Sequence, residues 1–272
     1  MPGDYSFAIC KAVCGNNWTR WIGCSNELNA AYAADGYSRI KGAALLSTTY
    51  GVGELSALNA VMGAKAENVL IFHIVGLPAV SLQKNNKIVH HGLPDNDYGR
   101  YKRISKEACC ITTTITENNY ITVMDRVISK GFIKRQPVYI GVSSDIATTP
   151  INFNIGISTG ILPSTTYKSD NEQLNVAKIF IISLFSKHRK IIALPGYKLS
   201  RYNIEEITLK FIEKLNCPYI SLNMDKGILP ENHDLFIGGY SNSYTRSKIL
   251  DVIDDADLLL ETEVKRQKQD LS

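Results

Sequence analysis

Apolar residues fall into short unbroken runs, each followed by a stretch of helical period. Residues 43–48 read as a buried strand, residues 69–75 as a second that ends at Gly76 and Pro78, residues 109–115 as a third and residues 137–142 as a fourth. Between them, helices are predicted after residue 26, through about Ala66, and over residues 120–131. Strands that are apolar throughout, and that alternate with helices, predict a parallel sheet covered on both faces.

Residues 144–168 break this rhythm. They are rich in Ser, Thr, Pro, Gly and Asn and read as a linker. The rhythm then restarts. Helices are predicted over residues 171–185, 204–215 and 245–256, and strands over residues 190–194, 218–222, 235–237 and 257–260. The fold class is therefore α/β, with two doubly wound parallel-sheet domains. The expected division is a first domain over 1–145, a linker over 146–168, a second domain over 169–260 and a polar tail over 261–272.

The most informative stretch is residues 21–39. A short apolar piece enters Ser25-Asn26-Glu27, and an alanine-rich helix follows. Asn26 or Ser25 can cap that helix by accepting a free first-turn amide, and Glu27 sits where the helix dipole favours a negative charge. An isolated glutamate there is ordinarily a helix-start residue. A second possibility is a carboxylate at the mouth of a strand–helix turn, where open α/β sheets hold ligands.

Composition narrows the classes. The 272 residues are 44% hydrophobic and 21% charged with a net charge of +4, too small and dispersed for a nucleic-acid surface. No apolar run reaches membrane-spanning length, and the start of the chain lacks a basic, signal-type leader. Six cysteines without metal-ligand spacing read as reduced thiols, so a cytoplasmic location is expected. Taken singly, Gly51-Val52-Gly53 is a tight turn, His90-His91 a solvated loop pair, His73 a packing residue and Asp4 a surface acid. Gly196 and Gly238-Gly239 read as turns, because no G-x-G-x-x-G is present.

Taken together, these segments resemble a known family. Pro2-Gly3-Asp4-Tyr5, residues 21–39, residues 48–57, His73-Ile74-Val75-Gly76 and His90-His91 are similar, in order and spacing, to the thiamine-diphosphate-dependent 2-keto acid decarboxylases, such as pyruvate and indolepyruvate decarboxylase. The resemblance extends to about residue 260. It implies a pyrimidine-binding domain followed by a central domain, and decarboxylation of a 2-keto acid to an aldehyde and carbon dioxide. It implies thiamine diphosphate and Mg2+ as cofactors, a small-molecule keto acid as substrate, and a homo-oligomer or a complex with a chain supplying the diphosphate-binding domain.

Position by position, Glu27 matches the carboxylate that hydrogen-bonds N1′ of the aminopyrimidine and favours the imino form that removes the C2 proton. Asp4, His90 and His91 match the cluster that positions the keto acid and delivers a proton after carbon dioxide leaves. Imidazoles beside a carboxylate suit that task, since histidine titrates near neutral pH. Thr49 and Gly51 match residues lining the cofactor pocket.

Three departures from the family pattern carry expectations of their own. The chain starts at the Pro-Gly-Asp loop, without the family's preceding helix and interior strand. It has no Gly-Asp-Gly followed by a distal Asn, so no diphosphate and magnesium ligands are expected within it, and it is expected to be inactive alone. After the double histidine it has Gly92-Leu93-Pro94-Asp95-Asn96, where proline replaces a freer glycine. The alternative to a working enzyme is a non-catalytic remnant or interaction subunit of the family.

Overall fold

The computed structural model describes residues 2–150 and 169–262, which divide into two compact units, the chain boundary between them falling at 167/168. Most of the expected linker and the end of the expected tail lie outside the described residues.

In the first unit a 3-10 turn (Asp4–Ser6) leads into α1 (Phe7–Cys14), and then come α2 (Glu27–Lys41), β1 (Ala44–Thr49) and α3 (Val52–Ala66). They are followed by β2 (Ile71–Leu77), α4 (Val80–Lys84), α5 (Arg100–Ala108), β3 (Ile111–Ile115), α6 (Tyr120–Lys134) and β4 (Val138–Ser143). The strands form one sheet in the order β1-β2-β4-β3, all parallel. Side chains alternate across it. Ile71, Val75 and Tyr139 join Ala31, Ala57, Ala60 and Val61 of α2 and α3 on one face, and Phe72, Val138 and Ile140 meet Val123 and Val127 of α6 on the other. Both faces are covered, so the strand runs are apolar throughout.

The alanines explain how α2 and α3 pack. Ala31 and Ala34 on one helix and Ala57, Ala60 and Ala64 on the other are all buried, so the two backbones can approach closely. Asn26, not Ser25, is the cap of α2, its Oδ1 accepting the Asn29 amide at 2.8 Å. Gly42 closes the helix with φ +85°, the left-handed conformation usual at that position.

The second unit holds α7 (Asn171–Lys187), β5 (Ile191–Pro195), α8 (Lys198–Tyr202), α9 (Glu205–Leu215) and β6 (Tyr219–Ser221), then β7 (Phe236–Gly239), α10 (Ser247–Asp254) and β8 (Leu258–Thr262). Its sheet is also fully parallel, in the order β7-β6-β5-β8. Ile192, Leu194, Ile220 and Ile249 fill one face, and Ala193, Ile212, Cys217 and Tyr219 the other. Both units thus have the predicted fold class. Among the described residues no helix is long and apolar enough to cross a membrane.

Candidate active site

The site is built where β1 and β2 end. Thr49, the last residue of β1, pairs in register with Gly76 of β2. The backbone of Tyr5 and Ser6 crosses directly over Gly76: a Cβ there would lie 2.3 Å from the Tyr5 carbonyl oxygen and 2.7 Å from Ser6 Cα. Gly3 lies as tightly on the Thr49 side chain, 2.5 Å from Thr49 Cβ by the same measure. The missing side chains at 3 and 76 therefore let the opening loop lie on the sheet edge. Ser6 fixes the loop's shape, taking the Gly3 amide on Oγ at 3.1 Å and donating to the Gly3 carbonyl at 3.0 Å.

That loop carries Asp4 to the histidine pair. His90 Nε2 and Asp4 Oδ2 are 2.6 Å apart, and the buried Tyr5 hydroxyl meets His90 Nδ1 at 3.0 Å. Burial, with Asp4 adding to it, pushes the Tyr5 phenol up to about 12, so it stays protonated and donates to Nδ1. The tautomer assigned by this network has the His90 proton on Nε2, directed at Asp4. The His91 ring stands 4.6 Å from that of His90, centroid to centroid. Asp4, His90 and His91 are all exposed, and each offers a ligand-type atom within 4.8 Å of the others.

The histidine loop is pinned from below. Gly51, with φ +69°, caps α3, and a Cβ on it would lie 2.3 Å from the His91 carbonyl oxygen. His91 has φ +64°, and its carbonyl accepts the Tyr101 hydroxyl at 3.0 Å. Gly92 packs on the Tyr50 ring, and ion pairs Asp95–Arg100 and Asp97–Arg103 tie the loop that contains Pro94 to the start of α5. The proline is accommodated in a closed loop.

Glu27 opens α2, half-buried, and its carboxylate borders Gly53: a Cβ on Gly53 would be 3.3 Å from Glu27 Oε1 and 3.0 Å from Thr49 Cγ2. Thr49 Oγ1 is buried without a hydrogen-bond partner among the described residues. Glu27, Gly53, Thr49, Gly3, Asp4, His90 and Gly51 thus form one continuous rim. The candidate site residues Asp4, Glu27, Thr49, Gly51, His90 and His91 meet here, though they span 88 positions from first to last.

Two further buried polar residues lie in the same unit: His73, read from sequence as packing, and Glu54, given no role there. His73 sits in mid-strand as a packing residue, with its ring nitrogen 2.9 Å from Thr48 Oγ1, and burial lowers its pKa to about 3. Glu54, 1% exposed, accepts the Gly51 amide at 3.0 Å on Oε1, while Oε2 has no hydrogen-bond partner among the described residues. Its spacing, three residues past Gly51 at a helix start, was the signal available in the sequence.

Burial pushes the Glu54 carboxyl from 4.5 up to about 7. The native state therefore keeps a proton that the unfolded chain releases above about pH 4.5, so Glu54 is harmless in acid. Its destabilising contribution grows as the pH rises from about 4.5 to about 7 and then levels off at about 3 kcal/mol. Glu54→Gln is expected to raise the thermal midpoint at pH 8 and to leave it nearly unchanged at pH 4.5. Melting curves at the two pH values check this; an equal gain at both would contradict it.

A carboxylate at a helix start and an imidazole–carboxylate cluster, on the carboxyl edge of a parallel sheet, define the class: an α/β protein with the parts for proton transfer to a bound small molecule. Residues 1–98 match the family model described as thiamine pyrophosphate enzyme, N-terminal TPP binding domain, and residues 180–261 match the one described as thiamine pyrophosphate enzyme, central domain. The chain thus carries two domains of the thiamine pyrophosphate enzymes, the N-terminal and the central one. It is similar to a pyruvate decarboxylase of Kluyveromyces marxianus, 33% identical over 96% of this chain and 46% of that protein. It is similar to pyruvate decarboxylase isozyme 3 of Saccharomyces cerevisiae, 31% identical over the same shares. A thiamine metabolism regulatory protein of Saccharomyces cerevisiae is 35% identical over 96% of this chain and 42% of its own length. The chain spans a little under half the length of these relatives.

Proposed function

We propose that the protein acts in the thiamine-diphosphate-dependent, non-oxidative decarboxylation of a 2-keto acid of the pyruvate or indolepyruvate type, yielding an aldehyde and carbon dioxide. One observation carries the reading: Asp4 and His90, 86 positions apart, are joined 2.6 Å from each other on the rim that also holds Glu27.

The residues present fit the pyrimidine end of the cofactor. A carboxylate with an acceptor lone pair to share borders a glycine with no side chain to fill the space, and the buried Thr49 hydroxyl lacks a partner. Thiamine diphosphate, when bound, supplies the nucleophilic carbon and the electron sink. In this reading Glu27 hydrogen-bonds the ring nitrogen N1′ and shares a proton with it. Thr49 and Gly51 line the pocket, and the opening loop and the histidine loop shield it from water. Asp4 and His90, oriented by Tyr5, bind the keto acid's polar end and move a proton through Nε2; His91 extends the same cluster. The proposal assigns the magnesium and diphosphate ligands to a partner chain or a segment outside these 272 residues. A cytoplasmic homo-oligomer, with its thiols reduced, is the expected setting.

The test is release of carbon dioxide and aldehyde from pyruvate and indolepyruvate by the protein, with thiamine diphosphate, magnesium and a diphosphate-binding chain of the family. Saturable release from either acid supports the proposal, and none from both opposes it. A second reading, a non-catalytic interaction subunit, is favoured by the similarity to a regulatory protein of thiamine metabolism. It expects no release but retained cofactor binding.

A further inference from the structure

The geometry points to a transition-metal site formed by Asp4, His90 and His91, taking Zn2+ or Co2+. It goes beyond the decarboxylase reading and does not depend on thiamine chemistry. The three residues come from two segments, and each offers a ligand-type atom within 4.8 Å of the other two. In a tetrahedral zinc site, bonds of about 2.0–2.2 Å put neighbouring ligand atoms about 3.3–3.6 Å apart. The Asp4–His90 pair at 2.6 Å must open slightly and the more distant pairing must close by less than 2 Å, movements that exposed side chains make without disturbing the core.

The donor set selects the ion. Two imidazoles and one carboxylate suit Zn2+, Co2+ or Ni2+, whereas Mg2+ prefers oxygen ligands in octahedral array. Three protein ligands at an exposed position leave room for water, the arrangement of open rather than purely structural sites.

The surroundings already supply the second layer. A metal on His90 Nε2 moves that nitrogen's proton to Nδ1, which then donates to the Tyr5 oxygen now 3.0 Å away. The Tyr5 hydroxyl proton turns to the His90 carbonyl, 3.4 Å away, so no proton is lost from the pair and both donors stay satisfied. On the other side, His91 is held by the Tyr101 bond to its carbonyl and by the packing of that carbonyl on Gly51. The ligand loop is therefore fixed before any ion arrives, which reduces the ordering cost of binding.

The experiment is titration of the full chain with Co2+ at fixed pH, without thiamine or keto acid, followed by visible absorption and then by Zn2+ displacement. The expected result is one Co2+ per chain, displaced by Zn2+ and not by excess Mg2+. Asp4→Asn and His91→Ala, both at exposed positions, are expected to weaken binding at least tenfold, while His188→Ala and His233→Ala leave it unchanged. Tyr5→Phe is expected to weaken it by about tenfold, as loss of such a hydrogen bond to a ligating histidine does. No stoichiometric binding, undiminished binding by Asp4→Asn and His91→Ala, or a thiolate-to-metal band reporting cysteine ligation would each overturn the proposal.

Discussion

Glu27→Gln is expected to lower keto acid turnover by about 10²–10⁴-fold, the range for loss of a positioned proton-transfer group. Folding should barely change, because the charge lost is a first-turn carboxylate of α2 worth about 0.3–1 kcal/mol to the helix dipole. The Asn26 cap, which holds that turn, is untouched. Steady-state turnover and a urea midpoint measured on the same preparation separate the two effects. Turnover close to wild type would remove Glu27 from the chemistry, and a collapse of both would make it a structural residue.

Gly76→Ala is expected to have the next largest effect, by a different route. β2 is hydrogen-bonded to β1 on one side and β4 on the other, so the strand cannot yield. The new methyl would stand 2.3 Å from the Tyr5 carbonyl oxygen, and the opening loop must lift instead. Asp4 and Tyr5 then leave His90. Overpacking of this kind costs about 1–3 kcal/mol, and turnover should fall by at least about 10²-fold with it. Thermal unfolding and turnover check both; a variant near wild type in each would mean that the loop does not rest on this glycine.

The parts of the fold legible in the sequence are those with a strong local cause. Ile71 to Leu77 and Val138 to Ser143 lie on interior strands buried on both faces, so their apolar runs stand out. α2 announced itself by its cap and its alanines. α5 did not: its nine residues bury only Tyr101, Ser105 and Ala108, and the remaining lysines and arginines hide the period. α1 has no buried residue at all, so nothing in its pattern marks it. α3 begins at Val52, because the Glu54 carboxylate accepts the Gly51 amide and starts the helix there. β8 runs on to Thr262, into residues read from sequence as tail, because Pro195 of β5 continues to pair with it.

The site was legible only as a set. No single one of Asp4, Glu27, Thr49, His90 or His91 carries a signal above that of a surface acid, a cap or a loop histidine. Their order along the chain carried it, through family resemblance. What stayed hidden was contact between distant backbones. A strand glycine such as Gly76 does not tell which segment crosses it, and Gly51 does not reveal that the His91 carbonyl rests on it. Tyr5 as the partner of His90 Nδ1, and Glu54 as a buried carboxyl kept protonated near neutrality, likewise follow from three-dimensional packing alone.

The most direct measurement is a crystal structure of the protein with thiamine diphosphate and magnesium, together with a diphosphate-binding chain of the family. The expected result is the aminopyrimidine seated against Gly53 and Thr49, with N1′ at hydrogen-bond distance, about 2.6–3.2 Å, from a Glu27 oxygen. The pyrimidine bound elsewhere, or Glu27 turned to solvent in the filled site, would contradict it.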